Sequence, residues 1–205
     1  MSKPALSLAT VAVVLAALLP AGAATGAPVD YYVACAPTAN TIVGTEGNDN
    51  LKGTPVADLI LAFGGNDRAD GRAGNDCLVM GAGNDRAKGG SGNDRIFGEE
   101  GNDRLSGNTG NDRVNGGDGN DRVFGGPGDD RLKGGPGNDF VKGDSGNDVV
   151  SGGTGKDRLV GGGGADRLKA RDGQRDIVNC GGGKDVAIVD SQDRVLRNCE
   201  TVLVG

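Results

Sequence analysis

The sequence predicts an all-β chain wound into a parallel β-roll, a β-solenoid finished by a disulfide-bonded C-terminal cap. Three observations predict it. Aspartates recur every nine residues without a slip, at Asp49, Asp58, Asp67, Asp76, Asp85, Asp94, Asp103, Asp112, Asp121, Asp130, Asp139, Asp148, Asp157 and Asp166. The residue two places after each of them is apolar, from Leu51 and Ile60 to Leu159 and Leu168. Finally, 41 glycines and 3% aromatic residues do not suit an ordinary close-packed core, so order must come from repetition.

The chain opens with Lys3 and an apolar run from Ala5 to Leu19, followed by Pro20 and the small residues Ala21 to Ala24. This is the pattern of an export signal, residues 1–23, cleaved after Ala23. The run is short of the ~20 residues of a spanning helix, so the mature chain is expected to be secreted and extracellular, with no membrane span. Removing it takes away Lys3 and no acid, which leaves 21 of the 22 basic side chains against 28 acidic ones, a formal charge of −7. That balance favours cations as partners and argues against general nucleic-acid affinity. Residues 24–43 read as an N-terminal segment and cap.

Residues 44–170 carry the repeats. Fourteen apolar residues out of fourteen, in a chain that is 36% apolar, would arise by chance about once in a million, so this position faces an interior. Its neighbours are mostly polar, the alternation of a short strand. Each unit therefore reads as a three-residue strand with one inward side chain, followed by a six-residue turn rich in glycine. One inward residue is too little to hold one unit folded, so units must stack. Two units make an eighteen-residue coil with strands alternating between two parallel sheets, and the array amounts to seven coils.

In such a coil each aspartate lies over the one eighteen residues later. Asp85, Asp103, Asp121 and Asp139 fall on one edge, and Asp94, Asp112, Asp130 and Asp148 on the other. At ~5 Å spacing, neighbouring carboxylates repel by ~1 kcal/mol in bulk water and ~3 kcal/mol at an effective dielectric near 20. A cation between successive turns reverses the sign of that interaction. Carboxylate and backbone carbonyl oxygens select a hard ion, and six or more flexible oxygens favour Ca²⁺ over Mg²⁺. Binding and folding are then one equilibrium.

Gly89-Gly90-Ser91-Gly92-Asn93-Asp94-Arg95-Ile96-Phe97 and Gly134-Gly135-Pro136-Gly137-Asn138-Asp139-Phe140-Val141-Lys142 resemble the RTX, or haemolysin-type, calcium-binding nonapeptide. The resemblance covers roughly residues 44–170 and implies an RTX-type β-roll that binds multiple Ca²⁺ ions. It also implies that Asp67, Asp76, Asp85, Asp94, Asp103, Asp112, Asp121, Asp130, Asp139, Asp148, Asp157 and Asp166, with carbonyls of the turn glycines, share each ion between turns on one edge. Thr54-Pro55-Val56-Ala57-Asp58 lacks the turn glycines, which sets Asp58 apart. Phe63, Arg72 and Met80 stand where turn glycines are expected, so the strongest sites are expected from Asp94 to Asp166. RTX proteins usually leave the cell through an exporter that reads a C-terminal signal, whereas this chain has an N-terminal one.

After Asp166 the phase breaks, with Asp176 ten residues on and then Asp185. Residues 171–205 read as a capping segment whose strands cover the open end of the core. Its layout resembles the C-terminal end of secreted actinobacterial proteins of the RTX type. Of the three pairings open to four cysteines, stacked coils allow Cys35–Cys77 and Cys180–Cys199, because a crosswise bond would exceed the ~7 Å Cα limit. Each closure stabilises by ~3–4 kcal/mol. With no histidine, a zinc site is not expected.

The residue after each aspartate faces outwards. It is arginine at Arg68, Arg86, Arg104, Arg122 and Arg158 on one sheet and at Arg95, Arg113, Arg131 and Arg167 on the other, with Lys88, Lys142, Lys133 and Lys169 alongside. These faces either remain solvated or take up an anionic cell-surface polymer, which would make the chain a structural or adhesion module. Catalysis is not expected, because no histidine, no partnered nucleophile and no separate catalytic unit is present. An ice-binding face is also not expected, since the outward positions are mainly arginine and lysine. The chain is expected to be a monomer.

Overall fold

The computed structural model describes residues 40–196 and 198–205, a single unit running from Asn40 to Gly205. The expected export signal and Cys35 lie outside the described residues. Two parallel sheets form from strands that alternate along the chain, as the nine-residue period requires. One sheet holds β1 (Asn40–Val43), β3 (Asp58–Leu61), β5 (Cys77–Ala82), β7 (Arg95–Glu100), β9 (Arg113–Asp118), β11 (Arg131–Pro136), β13 (Val149–Thr154), β15 (Arg167–Lys169), β17 (Val186–Val189) and β19 (Thr201–Val204). The other holds β2 (Asn50–Lys52), β4 (Arg68–Ala73), β6 (Arg86–Ser91), β8 (Arg104–Thr109), β10 (Arg122–Pro127), β12 (Phe140–Ser145), β14 (Arg158–Gly163), β16 (Ile177–Gly182) and β18 (Arg194–Val195). No helix is present among the described residues.

The register advances by eighteen residues per coil, so that Val123 pairs with Leu105 and Val141, and Leu132 with Val114 and Val150. Identical repeat positions therefore stack, and the inward residues form a continuous column: Ile60, Leu78, Ile96, Leu105, Val123, Val141, Val150, Leu159 and Leu168 are fully buried. This column is the whole of the core through the middle of the roll.

Two features differ from the sequence reading. The full strands are six residues long rather than three, because pairing runs on through the first half of the turn, as in Gly135 with Gly153 and Pro136 with Thr154. A second inward position thus follows each column aspartate by four residues. Glycine occupies it through the middle of the roll, and side chains occupy it near the ends: Ala62, Met80, Ala170, Cys180 and Val189 are all buried there. The roll is also longer than seven coils. The sheets hold ten and nine strands, because β1 precedes the array and β16 to β19 continue both sheets beyond it.

The continuation works because the loop 171–175 inserts one residue and then restores the phase. Ile177 pairs with Arg158, and Val186 with Arg167, a step of nineteen residues in each case. Cys180 and Cys199 form the expected disulfide, with a Cα–Cα distance of 5.1 Å. The expected partner of Cys77, Cys35, is outside the described residues.

Candidate metal sites in the turns

The aspartate ends one turn and starts the next strand, and the backbone there turns its side chain inward. All of the repeat aspartates from Asp58 to Asp166 are buried, as are Asp176 and Asp185, none more than 3% exposed. A buried carboxylate needs partners. One oxygen has a backbone partner: the amide of Asp85 donates to Oδ1 of Asp103 at 2.8 Å, that of Asp103 to Asp121 and that of Asp121 to Asp139. The other edge repeats this through Asp94, Asp112, Asp130 and Asp148.

The second oxygen is different. Oδ2 of each of the twelve expected ligands, Asp67 to Asp166, is buried with no hydrogen-bond partner, and so is Oδ2 of Asp176 and Asp185. Each unpartnered donor or acceptor costs about 1–3 kcal/mol, and more when charged, so fourteen of them demand a physical explanation.

The turn glycines show where a partner would sit. A Cβ built on Gly98 would lie within 3.0 Å of both Asp103 Oδ2 and the carbonyl oxygen of Gly116 in the next coil. The same convergence recurs at Gly89, with Asp94 and Gly107, and at Gly125, with Asp130 and Gly143. At Gly134 it involves Asp139 and Gly152, and at Gly143 it involves Asp148 and Gly161. The absent side chain leaves a cradle into which one carboxylate oxygen and one carbonyl oxygen are directed. Among the described residues, no group of three or more carboxylate or thiol side chains comes together. A cation here must therefore draw much of its shell from backbone carbonyls, an oxygen-only set that suits a hard ion.

Electrostatics point the same way. Burial, partly opposed by the amide hydrogen bond and reinforced by the neighbouring carboxylates of the column, raises Asp94, Asp103, Asp130, Asp139 and Asp176 to about 7. It raises Asp76, Asp85, Asp148 and Asp157 to about 6. Asp67, Asp112, Asp121 and Asp166 are also raised, chiefly by burial. Without a counter-charge these carboxylates are held against their own ionisation.

Stretches spanning residues 38–55, 43–78, 81–114, 97–132, 106–141, 115–150, 133–168, 142–177 and 151–187 match the RTX calcium-binding nonapeptide repeat. The chain belongs to that family. RTX repeats bind calcium, and the donor set at these turns suits that ion. No curated protein matches the chain.

The RTX turns of this chain are not all equivalent. At Asp67 and Asp85 the cradle position carries Ala62 and Met80 rather than glycine, and at Asp185 it carries Cys180. Phe63 and Arg72 adopt the left-handed backbone of the glycines they replace, with φ of 76° and 78°. In the first two turns the aspartate is satisfied from within. The Thr45 amide and hydroxyl donate to Oδ2 of Asp49 at 2.6 and 2.9 Å, and those of Thr54 donate to Oδ2 of Asp58 at 2.5 and 3.1 Å. A threonine there does for the carboxylate what the open glycine turns leave undone.

Two components escaped the sequence reading. The aspartate ladders do not stop at Asp166, since Asp157 donates its amide to Asp176 and Asp166 donates to Asp185. Asp193 and Glu200 then accept from Asp176 and Asp185 and end the two columns. The second component is an asparagine ladder of opposite polarity. Asn102 donates its amide to Oδ1 of Asn84 in the preceding coil, Asn120 to Asn102 and Asn138 to Asn120, each at 2.8 Å. The signal was present in the Gly-Asn-Asp triplets, since asparagine precedes ten of the fourteen phased aspartates.

Proposed function

We propose that this RTX chain is an exported calcium-binding protein whose turns from Asp67 to Asp166 hold Ca²⁺ between successive coils of one edge, and whose roll winds as the ions bind. The observation that carries this reading is the unbroken row of buried, unpartnered Oδ2 atoms, most of which face glycine cradles. Asp67 to Asp166 supply the carboxylates, with the most open cradles at Asp76 and from Asp94 to Asp166, and carbonyls of the turn glycines supply further oxygens. The ions neutralise the columns. Without them, a repulsion of ~3 kcal/mol per neighbouring pair, over about a dozen pairs, exceeds the ~5–15 kcal/mol by which a domain is held together.

The family is defined by a binding repeat, and the lack of histidine supports a binding role rather than a catalytic one. The N-terminal apolar run supports export, and an oxidised cysteine pair suits an extracellular setting. Calcium titration of the purified chain tests the reading, with far-UV circular dichroism reporting strand content and calorimetry counting ions. A cooperative coil-to-strand transition at micromolar to millimolar calcium, with several ions per chain, is expected. A strand-rich spectrum in chelator that calcium leaves unchanged would refute it.

A further inference from the structure

The formal charge of the chain is −6, yet more than half of its described carboxylates are buried. The described residues contain 27 acidic side chains, of which fifteen are buried aspartates of the two columns, leaving 12 outside. Twenty lysines and arginines face them. With the interior carboxylates neutralised by ions, the exterior is basic.

The excess is organised. In the sheet of even-numbered strands, Arg68, Arg86, Arg104 and Arg122 stand in register on four consecutive coils, all exposed on the outer face. The second outward row of the same strands holds Asp70, Lys88, Ser106 and Phe124, so one carboxylate accompanies five cations. None of the four arginines makes an ion pair among the described residues, where the one pair found is Lys142 with Asp144. Like charges opposite one another destabilise a sheet, so the ladder is a cost to the fold. Two rings lie at its end in mid-face: Phe124, with the Arg104 guanidinium 4.8 Å from its centroid, and Phe140, which follows Arg122 in the same row and is 5.7 Å from Phe124.

We propose that this arginine ladder is a docking surface for a linear acidic polysaccharide, and that calcium gates it by winding the roll that lines the arginines up. The proposal rests on the calcium-dependent winding argued above. A straight row of forked cations one strand apart, ~4.8 Å, suits an extended polymer bearing about one carboxylate or sulfate per sugar, and guanidinium groups bind such anions through paired hydrogen bonds. Duplex DNA fits less well, because its phosphates rise ~3.4 Å per step on each strand and spiral away from a flat face. The aromatic rings in mid-face favour a sugar polymer over a purely ionic contact.

The test is binding of the full chain to immobilised heparin in millimolar calcium and in chelator, with circular dichroism on the same samples. Two variants of equal charge are compared: Arg86→Gln/Arg104→Gln/Arg122→Gln, which empties the ladder, and Lys156→Gln/Arg175→Gln/Lys184→Gln, whose exposed side chains lie in turns and loops away from it. Salt-sensitive binding in calcium is expected, about ten- to a hundred-fold weaker in the ladder variant and within about two-fold of the parent in the other. Equal losses in both variants, or no loss in the ladder variant, would overturn the proposal. So would tighter binding to single-stranded DNA or to phosphatidylserine vesicles than to heparin at equal salt. A chain that winds with calcium but ignores heparin refutes the ladder and leaves the calcium reading intact. Ladder-dependent binding with a spectrum indifferent to calcium refutes the winding and its gating role, and leaves the docking surface.

Discussion

Asp103→Asn separates a metal ligand from a structural carboxylate, because the two roles predict opposite signs in two conditions. The asparagine keeps the side-chain oxygen that accepts the Asp85 amide at 2.8 Å. In place of the unpartnered Oδ2 it puts an NH₂ group directed at the space shared with the Gly116 carbonyl. Without calcium the substitution removes a buried charge and offers a hydrogen bond of about 1 kcal/mol, so the metal-free roll gains stability. With calcium it removes a carboxylate from an ion-filled column, and breaking a buried charge pair in this way costs about 3–5 kcal/mol. Shared among on the order of ten ions that bind as the roll folds, the loss is about 0.2–0.4 log units of calcium concentration per ion, roughly a two-fold rise in the midpoint. Far-UV circular dichroism measures both arms, as a calcium titration and as a trimethylamine oxide titration in chelator. A shift of the same sign in both arms would refute the assignment of Oδ2 to the ion.

The other predictions concern the same turns. Because burial raises Asp76 to about 6 and Asp103 and Asp130 to about 7 in the metal-free roll, above the ordinary aspartate value, these carboxylates favour folding at acid pH and lose that contribution as pH rises through this range. Strand content in chelator should therefore increase from pH 8 to pH 5 (both approximate), whereas the calcium midpoint should rise over the same interval because protons compete for the sites; a chelated chain that gains strand as pH rises contradicts this. Gly98→Ala should lower the calorimetric ion count, since its Cβ would enter the cradle, while Gly163→Ala, with nothing within 4 Å of the added carbon, should leave it unchanged. Thr54→Val should destabilise the first coil by about 1–2 kcal/mol, read as faster amide exchange around Asp58, without altering the number of ions bound.

Much of this molecule could be read from spacing alone. A nine-residue period with one apolar position per unit leaves few ways to bury that position other than two sheets joined by glycine turns, so Ile96, Leu105 and Val123 are core residues on sequence grounds. The same period places Asp85 below Asp103 and Asp94 below Asp112. Periodicity is a local property, and stacking converts it directly into contact.

What spacing could not supply was everything that depends on which atom points where. That Oδ1 is satisfied by the preceding coil's backbone while Oδ2 is left alone is a consequence of three-dimensional register. So is the asparagine ladder, whose donors and acceptors are eighteen residues apart. The return to phase after the insertion at 171–175 was hidden because a one-residue offset looks like an ending in the sequence, whereas a loop absorbs it in space and the columns continue through Asp176 and Asp185 to Asp193 and Glu200. Charge was the furthest from legible. Counting side chains makes the chain acidic, but folding buries fifteen aspartates and turns the arginines outward, because a carboxylate at a strand start faces the axis and the residue after it must face solvent.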